Sequence, residues 1–148
     1  MANVEKIVVR KLKSDDASAI GKIYRSITHE EDLLEFQQIV SELANREVNA
    51  CYVAEIRGKV VGFMISHVLS TSFGIHKSAW IPTLGVDPDF MGHGVGKKMA
   101  ESVFEFYRAQ GIQEIYTSVR WYDADVLSFF RTLGFNRSEF INLQKKLG

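Results

Sequence analysis

The sequence predicts a mixed α/β domain, a sheet carrying helices on its faces. Short β-branched and aromatic runs are interleaved with segments whose apolar residues recur every three or four positions. Taken in order these read β-α-α-β-β-β-α-β-α-β, with one glycine-rich passage from strand to helix near residue 92.

Residues 7–12 form the opening strand. Ser14 and Asp15 then offer N-cap oxygens to a helix on which Ala17, Ile20, Ile23, Tyr24 and Ile27 share a stripe. Thr28 followed by Glu31 fits a capping box, and the helix it opens carries Leu34, Ile39, Val40 and Leu43. Strands at 50–56 and 59–68 are separated by Arg57 and Gly58, the pattern of a tight hairpin. Residues 78–86 are a further strand, in which Pro82 predicts a bulge or an unpaired edge because proline donates nothing to a ladder. Val95, Met99, Val103, Phe106 and Tyr107 mark the third helix, ending at Gly111 as its C′ residue. Residues 112–120 follow as a strand, and Asp123 caps a helix stopped by Gly134. A last strand or hairpin is expected over 135–147.

All 148 residues are read as one domain, with no linker or repeat. Eighteen basic and eighteen acidic side chains cancel, so no global field draws the chain to nucleic acid or an anionic membrane. No apolar run reaches the roughly 20 residues that span a bilayer, and the first residues lack the pattern of a secretory signal. The single cysteine, Cys51, gives no disulfide framework and no multi-cysteine metal site. A cytoplasmic, metal-free protein is expected.

The passage Leu84-Gly85-Val86-Asp87-Pro88-Asp89-Phe90-Met91-Gly92-His93-Gly94-Val95-Gly96-Lys97-Lys98 carries the chemistry. Its alternate glycines leave backbone N–H groups unshielded. They sit at a helix start, where orphan donors and the macrodipole both favour an anion. Lys97 and Lys98 oppose that dipole, which makes sense beside a phosphate. A P-loop needs one more residue before its Gly-Lys and then a hydroxyl; a dinucleotide fingerprint needs its third glycine one residue later. Both patterns fail on spacing.

Val86, Pro88, Gly94 and Gly96 match, in register, the V-x-P-x-x-(Q/R)-x-x-G-x-(G/A) motif of the GCN5-related N-acetyltransferases, which this sequence therefore resembles. Asp123, Phe129, Phe130, Gly134 and Phe135 approximate a second signature of that family. The element order agrees over nearly the whole chain.

The resemblance implies an acetyl-CoA-dependent N-acetyltransferase acting on a primary amine of a small molecule, peptide or protein, by direct attack in a ternary complex. Pantetheine would pair with the main chain of Leu84, Gly85 and Val86. The diphosphate would sit on backbone N–H groups of Met91, Gly92, His93, Gly94, Val95, Gly96 and Lys97. A backbone N–H near Leu84 would hold the tetrahedral oxyanion. Asp123, Phe129 and Phe130 would complete the coenzyme side. Homodimers are common among such domains.

Departures from the family pattern concern catalysis. Met91 replaces a Gln or Arg, and Asp123 replaces an Asn while keeping its capping chemistry. Phe130 stands where the usual tyrosine protonates the departing thiolate, and Pro82 where some relatives carry a carboxylate base. Tyr122 is the candidate replacement acid and His76 the candidate base. The alternative reading is a non-catalytic acyl-CoA binding module; a nucleotide-binding loop is a third. Glu30, Glu31, Asp32 and Glu35 are weighed as an acidic rim for a cationic acceptor against ordinary helix-terminus acids. Cys51 reads as a small core residue.

Overall fold

The computed structural model describes residues 6–70 and 77–148. It divides into two compact units, Met1–Ser118 and Val119–Gly148. The first holds a five-stranded sheet in sequence order: β1 (Ile7–Lys11), β2 (Tyr52–Ile56), β3 (Lys59–Leu69), β4 (Ser78–Val86) and β5 (Ile115–Thr117). All neighbours are antiparallel except β4 and β5. Helices α1 (Ala17–Thr28), α2 (Leu34–Ala44) and α3 (Val95–Ala109) belong to this unit. The mixed α/β class expected from the sequence is thus observed.

Period-two alternation sends β-residues to opposite faces, and each face has its own helices. Ile20, Ile23, Phe36 and Val40 pack with Val53, Phe63 and Ile65. Phe36 stacks on Tyr24 at 3.9 Å and meets the Phe63 ring edge-on at 5.6 Å. On the α3 face a Cβ on Gly62 would lie 2.9 Å from Val95 Cγ1 and 3.0 Å from the Met99 methyl. Residue 62 therefore carries no side chain, and α3 lies close against the sheet. Met99, Val103 and Tyr107 continue that buried stripe.

One polar node crosses this second face. Tyr107 Oη accepts from the backbone N–H of Ala50 at 2.9 Å and lies 2.6 Å from Ser66 Oγ. Ser66 spends its one proton on the carbonyl of Ala50, so the tyrosine donates to the serine. Cys51 lies beside the node, buried, with its thiol 3.4 Å from the Ser66 carbonyl, as a core cysteine. Burial pushes its pKa up.

Local chemistry explains several boundaries. Arg57 and Gly58 both adopt positive φ, 52° and 76°, which suits the two-residue β2–β3 hairpin. Gly111 closes α3 with a Schellman pair, its own N–H bonding Arg108 O and that of Ile112 bonding Tyr107 O. That closure occupies Ile112, so β5 begins only at Ile115 rather than at 112, and it stops at Thr117 rather than at 120. The capping box at Thr28 is not formed. Thr28 ends α1, donating back to Tyr24 O, and Asp32 instead accepts from Leu34 N at the start of α2. Neither Ser14 nor Asp15 caps α1. A short 3-10 turn over Ser14–Asp16 intervenes, and the Asp16 carboxylate accepts from Lys13 N and two Arg10 nitrogens.

The second unit holds α4 (Ala124–Thr132). Asp123 caps it, accepting from Val126 N at 3.2 Å, and Gly134 at φ 93° closes it with the bonds seen at Gly111. Residues 135–148 form no strand, contrary to the sequence expectation. The polar run Asn136-Arg137-Ser138-Glu139 breaks the alternation, and Ile141 and Leu143 are exposed without a ladder to pair with.

Candidate active site

The decisive geometry is where β4 leaves β5. Their parallel ladder has three rungs, Ala79–Ile115, Trp80–Tyr116 and Ile81–Thr117, and then ends. Thr117 Oγ1 donates to the carbonyl of Ile81 at 2.7 Å on the last rung. The next residue is Pro82, which has no N–H to donate to a ladder. Opposite it the β3–β4 register slips, β4 placing two residues, Ile81 and Pro82, between Trp80 and Thr83 where β3 places only Ser66 between Ile65 and His67. The expected bulge at Pro82 is therefore present, with the extra residue on β4.

Beyond the bulge β4 stays paired to β3 alone, through Thr83, Leu84, Gly85 and Val86. In an antiparallel ladder alternate residues turn both polar backbone groups to the same neighbour. Asp87 donates to Val61 O across the β3 side at 2.8 Å. By alternation Gly85 also faces β3, whereas Leu84 and Val86 turn their N–H and C=O to the side β5 has vacated. Gly85 is required on packing grounds, since a Cβ there would lie 2.7 Å from the Phe63 ring and 2.9 Å from Ile27.

At the end of β4 the chain makes a 3-10 turn over Pro88–Phe90, with Asp87 Oδ1 accepting from Asp89 N at 3.0 Å. Lys59 on the hairpin lies 3.9 Å from Asp87 Oδ2 and 5.6 Å from the centre of the Phe90 ring. Gly92 and Gly94 both hold φ at 82°, and open space lies where their Cβ atoms would be. Gly94 is the N-cap of α3, and the first helical bond runs from Lys98 N to its carbonyl. The helix itself thus offers no acceptor to the N–H groups of Val95, Gly96 and Lys97. Met91, His93, Lys97 and Lys98 are exposed around them. The His93 ring meets Phe90 edge-on at 6.1 Å. One continuous passage therefore joins the strand edge that β5 does not pair to the first N–H groups of α3.

A sequence profile of the Acetyltransferase (GNAT) family matches residues 17–135. The chain belongs to this family. This GNAT chain is 31% identical over 103 residues to an uncharacterized N-acetyltransferase of Methanocaldococcus jannaschii, a match covering 67% of this chain and 44% of that protein. It is 30% identical over 91 residues to the mycothiol acetyltransferase of Amycolatopsis mediterranei, covering 60% and 30% respectively. The matches thus span less than half the length of these relatives. Among solved structures, the aminoglycoside N-acetyltransferase AAC(6')-Iy in complex with CoA has a TM-score of 0.84 at 14% identity, with 96% of this chain and 95% of that chain covered. An aminoglycoside acetyltransferase from an uncultured soil metagenomic sample, in complex with sisomicin, gives 0.78 at 21% identity over 96% and 97%. At such identities the likeness is one of fold.

The remaining candidate residues of the GNAT chain lie apart from this passage in sequence. Tyr122, Asp123, Phe129 and Phe130 belong to the second unit. Tyr122 is 78% exposed, and its hydroxyl accepts from Arg120 at 2.6 Å. Phe130 is buried, its ring edge-on to Phe129 at 5.2 Å and to Phe135 at 5.0 Å. His76 lies outside the described residues. Glu30, Glu31 and Asp32 are exposed on the link between α1 and α2, and Glu35 is exposed in the first turn of α2. Sequence reasoning missed Thr117, whose hydroxyl fixes the last rung. The signal available was Pro82, which marks an irregularity in β4 next to that rung.

Proposed function

We propose that this GNAT domain transfers an acetyl or other short acyl group from acyl-CoA to a primary amine of a small molecule, peptide or protein, by direct attack in a ternary complex. The observation that carries the reading is the parting of β4 from β5 after Ile81, which turns the backbone groups of Leu84 and Val86 to an edge that no described strand pairs. A pantetheine arm carries two amides in an extended chain, and such a chain pairs with an open strand edge as an added strand does. The edge runs toward Gly92 and Gly94, whose outward neighbours match a diphosphate. Leu84, Gly85 and Val86 would hold the arm, and Met91, Gly92, His93, Gly94, Val95, Gly96 and Lys97 the diphosphate. The family resemblance extends the coenzyme-binding role to Asp123, Phe129 and Phe130.

The residues of this chain would work by orientation and by dipoles placed in advance. A main-chain N–H near Leu84 would stabilise the oxyanion, a contact commonly worth two to three powers of ten in rate. His76 would take the proton that frees the amine lone pair, and Tyr122 would return one to the leaving sulfur. No described group of three or more His, Cys, Asp or Glu side chains converges as a metal site. No described helix is long and apolar enough to cross a membrane. A cytoplasmic location, and a homodimer as in many such domains, belong to the same reading.

The test is release of free thiol from acetyl-CoA across a panel of amines, peptides and protein N-termini. Transfer above the rate of hydrolysis supports the reading; hydrolysis alone across the panel overturns it. Phe130 and Pro82 favour a second reading, a non-catalytic acyl-CoA binding module, since neither supplies a proton or takes one. That reading predicts a raised melting temperature with acetyl-CoA and no transfer.

A further inference from the structure

Beside the point where β4 and β5 part lies a row of side chains that the passage from Leu84 to Lys97 does not use. Trp80 is the register partner of His67 on β3 and of Tyr116 on β5, so the three lie in one line across adjacent strands. Register partners share a face. The face is fixed by Ile65, which packs with Ile20, Phe36 and Val40. His67 stands two residues further along β3 with no extra residue between, so it shares that face, and Trp80 and Tyr116 with it.

The two aromatic members are held in place. The Trp80 and Tyr116 rings are stacked at 4.9 Å with 22° between their planes. The indole N–H donates to Ser78 Oγ at 3.2 Å, and the Tyr116 hydroxyl donates to Glu114 Oε2 at 2.7 Å. Both rings are half-buried, while Glu114 is exposed and carries its charge at the end of the row. His67 adds no opposing charge, because burial pushes its pKa below the usual imidazole value. On the same face α1 ends over Gly85 through Ile27, and the link that follows carries exposed Glu30, Glu31 and Asp32.

The row begins one rung before Ile81–Thr117. Resting on the acyltransferase reading above, the thioester ends where the strand edge closes, at that last rung. An acceptor attacking there must rest some part of itself on the adjoining surface. We infer that Trp80, Tyr116 and Glu114 form the acceptor platform, and that the acceptor is a cation carrying a second ammonium besides the amine that is acylated. The reacting nitrogen must be neutral when it attacks, so it forms no ion pair with a carboxylate at that step. A second nitrogen that stays charged is what an aromatic pair beside an acid recognises.

The experiment compares 1,4-diaminobutane with butylamine as acceptors for the full chain, following thiol release. Wild type is expected to show kcat/KM about tenfold higher for the diamine, the scale of one exposed cation–aromatic contact plus one exposed ion pair. In Glu114→Gln and in Trp80→Leu that ratio falls toward one, while the melting shift given by coenzyme A is retained. Glu114 is exposed, so its variant folds whatever the fate of Trp80→Leu. A wild-type ratio near one, or a ratio that survives in both variants, overturns the platform while leaving the acyltransferase reading standing. Absence of transfer to either amine overturns the platform. If it extends across the whole panel of the preceding test, it overturns that reading too.

Discussion

The hydroxyl of Thr117 donates to the carbonyl of Ile81 at 2.7 Å on the last rung between β4 and β5. A side chain thereby closes the ladder where the backbone stops pairing. Thr117→Val keeps the shape and removes this side-chain hydrogen bond from the part-buried carbonyl. The expected cost is about 1 kcal/mol, read as a fall of about 2–4 °C in the melting temperature of a chain this size. An unchanged melting curve would show that the rung is held by the backbone alone.

Two glycines of the site resist substitution for opposite reasons. At Gly85 the backbone is ordinary but the space is filled, so Gly85→Ala drives a methyl into Phe63 and Ile27. Overpacking of that kind costs about 1–3 kcal/mol. At Gly94 the space is open and φ is 82°, so strain of about 1–2 kcal/mol is expected there without a clash. Gly94→Glu also brings a negative charge to the start of α3, and we expect it to abolish the melting shift given by coenzyme A while the apo protein still unfolds cooperatively. A retained shift would mean that the diphosphate sits elsewhere.

The ion pair at the start of the chain predicts the acid limb of the stability profile. Asp16 is buried against Arg10, 2.7 Å from Nη2, and the guanidinium holds its carboxyl below the usual carboxylate range. A depressed folded pKa stabilises the fold above the unfolded value of about 3.9 and is lost as pH falls through the folded value. Wild type should therefore lose stability below about pH 4, more steeply than Asp16→Asn. At neutral pH that variant should be less stable by about 1–3 kcal/mol, because among the described residues Arg10 is left with Glu55 as its ion-pair partner. Parallel acid limbs in urea titrations of the two proteins would remove Asp16 from the account.

Tyr107 gives the alkaline counterpart. Burial raises its pKa, so the unfolded chain ionises first and stability is lost as pH rises past the unfolded value of about 10. Tyr107→Phe leaves Ser66 and the Ala50 N–H without that oxygen, at a cost of about 1–3 kcal/mol. Its unfolding midpoint should then change less than that of wild type between pH 9 and pH 11.

What the sequence disclosed follows from where the governing interactions lie. Gly58, Gly111, Gly134 and Asp123 act within a turn or one helical end, so their roles are legible in the residues themselves. Pro82 announced a bulge for the same local reason. Thr28 misled because its hydroxyl had two local acceptor patterns available, and the end of α1 took it before α2 could. Asp16 was invisible as a stabilising residue, because Arg10 and Glu55 come together only once β1 and β2 pair. The Trp80–Tyr116 stack depends on a parallel register that no periodicity reveals. The strand expected after Gly134 failed because apolar content was read without asking which edge would receive it.

On the proposed acyl transfer Phe130 can give no proton to the departing sulfur, and Tyr122 is the residue proposed to do so. Its hydroxyl is exposed and lies 2.6 Å from Arg120. Tyr122→Phe removes the transferable proton and leaves the ring beside the guanidinium. We expect kcat to fall about tenfold or more with the KM for acetyl-CoA unchanged, since general acid catalysis contributes about two to four powers of ten when a side chain acts alone and solvent recovers part of it here. The loss should grow with pH, because hydronium becomes scarcer as the substitute donor. An acyl donor whose thiol leaves more readily than coenzyme A should narrow the gap between the two enzymes. A uniform loss at every pH and with either leaving group would assign Tyr122 to orientation, and an unaltered kcat would leave the proton to water.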